Sequence, residues 1–338
     1  MTCLLPRILA FLATLLVAAQ ANAYEAGWMQ MQVAGATPEA PRTTVAMYYP
    51  TMAPSRVIPM GPFALDVAMG SPPAGSVKAL ILLSHGIAGS ELGHSVLAQA
   101  LARAGYLVAA LRHPGDNWQD RSLIEKSPDR YFEERPAQAS RVIDAVLADP
   151  TWKDRIASDS QGPRVGALGH SAGGYTVLAL AGAKPDLLRL RRHCQAEAAD
   201  DPIFCSLARQ SPAIALGPAA APTLQDTRVR AVVALAPTGV LLTADSLATV
   251  RAATMIYVAA LDRFLVPRFH AEWVAQHLPA PNLRRVPNAW HFAFMDTPSM
   301  PIATPAGDVA ANPPGFDRAA FLQQLAVDIT AFFDKAFL

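Results

Sequence analysis

Val165-Gly166-Ala167-Leu168-Gly169-His170-Ser171-Ala172-Gly173-Gly174-Tyr175 joins two patterns that rarely meet so abruptly. Residues 165–168 suit both faces of a buried strand, as a parallel sheet requires. From Tyr175 the spacing turns helical, through about residue 183. Between them stands Gly-x-Ser-x-Gly. That pentad arises by chance in about one chain in ten of this length, so context decides its meaning. A serine on a sharp strand-to-helix turn sits in a strained backbone conformation, and the flanking glycines let strand and helix approach closely. The turn also aims the helix N-terminus, with its partial positive charge, at the hydroxyl. Ser171 is therefore read as a nucleophile.

Working outward, short continuous apolar runs recur at 79–83, 107–111, 231–235 and 255–260, with a further strand at 283–286. Earlier, 28–33 alternates weakly and 43–49 reads as a strand ending at Pro50, followed by a Pro-rich meander to Val77. The intervening segments have helical spacing. Leu92, Val96, Leu97, Ala100 and Leu101 share a face. Pro136 suits a helix start, with Val142, Ile143, Val146 and Leu147 as the buried stripe. Phe321, Leu322, Leu325, Ile329, Phe332 and Phe333 line a C-terminal helix. This alternation predicts an α/β fold, a mostly parallel central sheet with helices on both faces, and the serine elbow after a buried strand makes the α/β-hydrolase type the expectation. Residues 24–338 read as one such domain. The stretch 185–227 breaks the rhythm and reads as a cap insertion near the site.

The remaining catalytic parts follow from chain order. One oxyanion donor is expected on the residue after the nucleophile, Ala172. The other is expected in Ser84-His85-Gly86-Ile87-Ala88-Gly89, where the glycines let amides turn inward; Ile87 is chosen. Of eight histidines, His85 and His170 belong to the two turns, and His94, His270 and His277 fall in helical stretches. His113 follows a strand and His193 lies in the cap. His291 follows the strand at 283–286, where this fold carries its base in the order serine, acid, histidine. Asp262, in Leu261-Asp262-Arg263, has the right order for the acid; Asp296, close behind His291, competes. Trp118, Tyr175, Trp290 and Phe292 are candidates for an apolar substrate pocket.

Composition limits the alternatives. The chain has 338 residues, 52% hydrophobic and 16% charged, with a formal net charge of +1 and scattered basic residues. A large core is possible, and no nucleic-acid footprint is visible. Arg7, the apolar run 8–19 and Ala21-Asn22-Ala23 form an export signal, residues 1–23, too short for a typical membrane span; an uncleaved anchor is the alternative. The mature chain is expected to be periplasmic or secreted, without stable membrane insertion. Only Cys194 and Cys205 then remain, and in an oxidising compartment they are expected to pair. A metal site there would need more ligands than His193 supplies.

Tyr49-Pro50-Thr51, Leu83-Ser84-His85-Gly86, the run from Gly105-Tyr106 to His113-Pro114-Gly115, and the Ser171 elbow together resemble the exported predicted dienelactone hydrolases. These are bacterial relatives of platelet-activating-factor acetylhydrolase. The resemblance continues through Cys194, Cys205 and residues 229–235, covering most of the mature chain. It is specific for the superfamily and much less so for a substrate. Two positions depart from the pattern. True dienelactone hydrolases use cysteine where Ser171 stands, and many relatives carry aspartate where Ala234-Leu235-Ala236-Pro237 has Ala236. The expectation is a serine hydrolase cleaving a small-molecule carboxylic ester through an acyl-enzyme, with no metal or organic cofactor. A short-chain carboxylesterase is the first reading. The others are a phospholipase A2 or lipase-like hydrolase of short or oxidised acyl chains, and a catalytically silent binding protein on the same fold.

Overall fold

The computed structural model describes residues 24–126, 130–210 and 224–337, so the expected export segment and residues 211–223 of the expected cap lie outside it. The chain opens with β1 (Glu25–Val33), β2 (Thr43–Thr51), β3 (Arg56–Met60), β4 (Phe63–Met69) and β5 (Leu80–Ser84). Next come α1 (Ser95–Arg103), β6 (Leu107–Arg112), α2 (Ser122–Lys126) and α3 (Tyr131–Ala148). The two-residue strands β7 (Ser158–Asp159) and β8 (Gly162–Pro163) form a small ladder before β9 (Val165–His170) and α4 (Ala172–Leu180). Then follow α5 (Leu187–Ala196), α6 (Pro202–Gln210), β10 (Val229–Leu235), α7 (Ala244–Ala248), β11 (Ala253–Ala259), α8 (Ala271–His277), β12 (Asn282–Val286) and α9 (Arg318–Ala336).

Among the described residues ten strands form one sheet in the order β12-β11-β10-β9-β5-β6-β2-β1-β4-β3. From β12 to β6 every neighbour is parallel; β2 runs against both β6 and β1. This is the predicted α/β-hydrolase fold, a mostly parallel sheet with helices on both faces. The continuous apolar runs are explained by two cores. Leu80 and Leu82 face the layer holding Val142, Ile143 and Val146 of α3, while Ile81 and Leu83 face Leu97 and Leu101 of α1 with Leu325 and Ile329 of α9. Each large side chain so buried contributes about 1.5–3 kcal/mol relative to exposure.

Two expectations are corrected. The Pro-rich meander contains the antiparallel β3–β4 hairpin, turned at Gly61 with φ 60°. Proline is tolerated there because Pro59 lies on the outermost strand, where no further neighbour needs its N–H. Pro136 is not a helix start either: α3 begins a turn earlier and carries it internally. The carbonyl that Pro136 cannot bond, Phe132 O, accepts instead from the Tyr175 hydroxyl at 2.6 Å.

The chain leaves β5 for β6 on one side, then returns to place β9 on the other side of β5. The loops after β5 and β9 therefore diverge, opening a crevice at the C-terminal edge of the sheet.

Candidate active site

Ser171 stands between β9 and α4 with φ 58° and ψ −119°, a region costly for a residue with a Cβ. The sequence permits it because the residues two positions away on either side, Gly169 and Gly173, have no side chains. A Cβ on Gly169 would lie 2.1 Å from Gly173 O, and one on Gly173 would lie 1.9 Å from Ser84 O. The elbow is clamped from the next strand: Ser171 N–H donates to Leu235 O at 2.9 Å, and Ser171 O accepts from Thr238 N–H at 3.0 Å. Among the described residues the Ser171 hydroxyl has no hydrogen-bond partner, so it does not cap α4 and is free toward the crevice.

Asp262 and His291 come from the loops after β11 and β12. His291 Nδ1 lies 2.7 Å from Asp262 Oδ2, both side chains almost wholly buried. Asp262 Oδ1 accepts from the N–H groups of Phe264 and Leu265 at 2.8 and 2.9 Å, which fixes the carboxylate. With Nδ1–H directed at Asp262, Nε2 is left to accept a proton. The His291 ring stacks on Phe264, centroids 4.9 Å apart at 15°. His170 supports the same loop through a 2.9 Å contact from Nε2 to His291 O. Burial, then the neighbouring His291 and His94, hold His170 well below the usual imidazole range, so it serves as a neutral donor. Asp296, the competing acid, is committed elsewhere. Its Oδ2 accepts from Ser95 Oγ at 2.5 Å and from Val96 N–H at 3.1 Å, at the start of α1.

A cavity of about 370 Å³ opens over Ser171, and Ile87 and Ala172 both line it. Among the described residues neither amide is committed to another hydrogen bond, whereas the adjacent Ala88 N–H is taken by Asp116 Oδ1 at 2.8 Å. The walls are largely apolar: Leu190 from α5, Phe204 and Leu207 from α6, Phe132 from α3, and Phe264 and Leu265 beyond Asp262. Arg121, Glu125 and Thr238 add polar groups. The aromatic residues expected here are elsewhere. Trp118 is 61% exposed and absent from the lining. Tyr175 is fully buried, its hydroxyl engaged by Phe132 O. Trp290 lies beneath the Arg263 guanidinium, whose carbon is 5.7 Å from the ring centroid, and Phe292 packs edge-on to His291 and is not part of the lining. The reason is positional: Trp118 and Trp290 lie in loops, whose direction periodicity does not set, and Tyr175 lies on the face of α4 turned toward α3.

Cys194 and Cys205 are joined, tying α5 to α6, the pair that walls the cavity. His193 is beside the sulfurs, which as a disulfide are not available as thiolate ligands. The same region attaches to the body through Asp201 Oδ2, 2.9 Å from both His193 Nε2 and His270 Nε2. Burial alone would raise this carboxyl, yet the two imidazole hydrogen bonds bring it down to about 2.

The sequence reading also missed a buried network beneath the loop of Ile87. Asp116 and Arg135 are both fully buried and directly paired. One signal existed: Arg135 falls in register with Ala139, Val142 and Val146, on the apolar stripe of α3.

No family description matches this chain, and no curated protein matches it. Solved structures do. A ferulic acid esterase from Streptomyces cinnamoneus superposes with a TM-score of 0.60 at 19% identity, covering 95% of this chain and 92% of its own. A dienelactone hydrolase from Anabaena variabilis superposes with a TM-score of 0.52 at 15% identity, covering 93% of this chain and 99% of its own. At these identities the likeness concerns architecture, and the chain has the α/β-hydrolase fold.

Proposed function

We propose that this chain is an exported serine hydrolase of carboxylic esters, working through an acyl-enzyme on Ser171, and that it is a short-chain carboxylesterase. The observation that carries the reading is the His291–Asp262 hydrogen bond of 2.7 Å at the same sheet edge as the strained Ser171 elbow. In the first step Ser171 Oγ attacks the ester carbonyl and its proton passes to His291 Nε2. The tetrahedral oxyanion is held by the N–H groups of Ile87 and Ala172, and α4 adds the positive end of its dipole. His291 then protonates the leaving alcohol. Water, deprotonated by His291, attacks the acyl-enzyme and releases the acid.

The small apolar cavity supports a short neutral acyl group, since its volume is near the lower end for ligand sites. That an esterase and a dienelactone hydrolase share the fold supports hydrolysis. The export signal at 1–23 and the Cys194–Cys205 bond support a periplasmic or secreted location. No helix among the described residues is long and apolar enough to cross a membrane.

Fluorophosphonate labelling of the purified wild type and of Ser171→Ala tests the nucleophile. Labelling is expected in the wild type only, and labelling retained in Ser171→Ala rejects the assignment. Turnover on p-nitrophenyl esters from acetyl to palmitoyl, beside short-acyl phospholipids, tests the substrate. Acetyl to butyryl esters are expected to lead; a preference for palmitoyl or phospholipid makes the protein a lipid hydrolase instead.

A further inference from the structure

Asp116 and Arg135 are both without solvent exposure, yet a buried ion pair of this kind gives little net stability compared with apolar side chains of the same volume. What distinguishes the pair is where its hydrogen bonds end. Asp116 Oδ1 accepts from Ala88 N–H at 2.8 Å, and Ala88 is held at φ 53° in the loop immediately after Ile87. Asp116 Oδ2 accepts from the Tyr131 hydroxyl at 2.7 Å and from Arg135 Nη1. Arg135 Nη2 donates to His85 O, on the other side of Ile87, and to Ser84 Oγ at 3.2 Å. Its Nε donates to Thr176 Oγ1 at 3.1 Å, which in turn donates to Ala172 O at 3.0 Å. One guanidinium thus reaches both segments that carry the two free amides over Ser171.

Around it the donors and acceptors match without a gap. His113 N–H donates to His85 Nε2 at 3.1 Å, and His85 Nδ1 lies 2.6 Å from Gly86 O. Ser84 Oγ, accepting from Arg135, lies 2.8 Å from His113 Nε2, and His113 Nδ1 lies 2.7 Å from Gln138 Oε1. The bond from His113 N–H to His85 Nε2 requires a neutral His85, and donation from the Ser84 hydroxyl to His113 Nε2 requires a neutral His113. Burial, with Arg135 adding to it, brings His85 down to about 4 and His113 well below its usual range.

We infer that Asp116 and Arg135 are a positioning pair, holding the Ile87 and Ala172 amides at the separation an oxyanion needs. The inference rests on the serine-hydrolase reading of the same site. Neither residue touches the substrate; both act through Ala88, His85 and Thr176.

The test compares Asp116→Asn, Arg135→Lys, Thr176→Val and Thr176→Ser with the wild type on p-nitrophenyl butyrate. Circular dichroism and thermal melting check folding, and an alkylboronic acid serves as transition-state analogue. Asp116→Asn and Arg135→Lys are expected to lower kcat about 100-fold, with KM within about threefold. Boronate affinity should fall by the same factor as kcat/KM, and the acid limb of the pH–rate profile should stay in place because His291 and Asp262 are untouched. A folded Asp116→Asn with wild-type kcat, or a loss carried by KM alone, overturns the inference. Should both charge variants fail to fold, the Thr176 pair decides. Thr176→Val is expected to lose about tenfold in kcat while Thr176→Ser restores it; equal kcat in Thr176→Val and wild type rejects the pair's role. If the wild type neither takes a fluorophosphonate nor cleaves esters, the serine-hydrolase reading fails and this inference fails with it. Labelled, active wild type beside equally active variants refutes the positioning role alone.

Discussion

Asp262 and Asp296 are both buried carboxylates, and their hydrogen bonds separate their roles. Asp262 Oδ1 is occupied by two backbone N–H donors, so Asn at this position must place its carbonyl there and turn its NH₂ toward His291. That forces His291 into the tautomer with Nδ1 as acceptor, which leaves Nε2 protonated and unable to take the serine proton. Asp262→Asn is therefore expected to lower kcat on the order of 10³–10⁴-fold with little change in KM, measured on a short p-nitrophenyl ester. Asp296→Asn is expected to keep turnover near wild type and to act on stability. Burial lifts the Asp296 carboxyl to about 6, above its ordinary 3.8. A raised folded-state value contributes stability that is present below pH 4 and lost as pH rises through 6. The stability advantage of wild type over Asp296→Asn should then shrink between pH 4 and pH 7 in urea unfolding. An advantage that grows over that range contradicts the assignment.

At the scale of elements, α3 and α4 are coupled through a proline. Pro136 frees the Phe132 carbonyl, and Tyr175 on α4 supplies the missing donor. Tyr175→Phe should destabilise the fold by about 1–2 kcal/mol by leaving that acceptor unpaired. In a Pro136→Ala background the helix can supply its own N–H, so the same substitution should cost less. Chemical denaturation of the four proteins in this double-mutant cycle measures the difference; additive losses would show that Pro136 and Tyr175 are not coupled. The disulfide works at the same scale. It joins the two helices whose Leu190, Phe204 and Leu207 wall the cavity. Closing so short a loop is worth about 3 kcal/mol on the chain-entropy account.

For the whole molecule, the sheet separates two cores, and the apolar cavity lining belongs to the one that holds Leu190, Phe204 and Phe264. Gly166 in β9 lets α9 approach: a Cβ there would lie 2.8 Å from Phe333 Cε1. Phe333 is fully buried and also packs against Tyr106, ring centroids 6.1 Å apart. Phe333→Ala should cost about 3–5 kcal/mol in unfolding free energy, with KM unchanged in the folded fraction, because this core lies away from the cavity lining. A raised KM at retained stability would place α9 in the site instead.

What the sequence determined by itself was the part written in local pattern. Apolar runs of strand length, helical spacing and the glycines around Ser171 specify the parallel sheet and the tight strand-to-helix turn at Ser171, because burial on both faces and close backbone approach act over a few neighbouring residues. Chain order along those strands pointed to His291, which the structure places against Asp262. The tertiary structure decided what depends on residues distant in sequence. Asp262 rather than Asp296 meets His291, since Asp296 is drawn to the start of α1, where Ser95 and Val96 supply its hydrogen bonds. Phe132, Phe204 and Phe264 line the cavity in place of Trp118, Tyr175, Trp290 and Phe292, because periodicity marks a buried helix face or a loop without saying which neighbour the fold brings against it. The Asp116–Arg135 pair was the least legible: a buried charge looks like any surface charge until its partner, placed by the fold, comes within hydrogen-bonding distance.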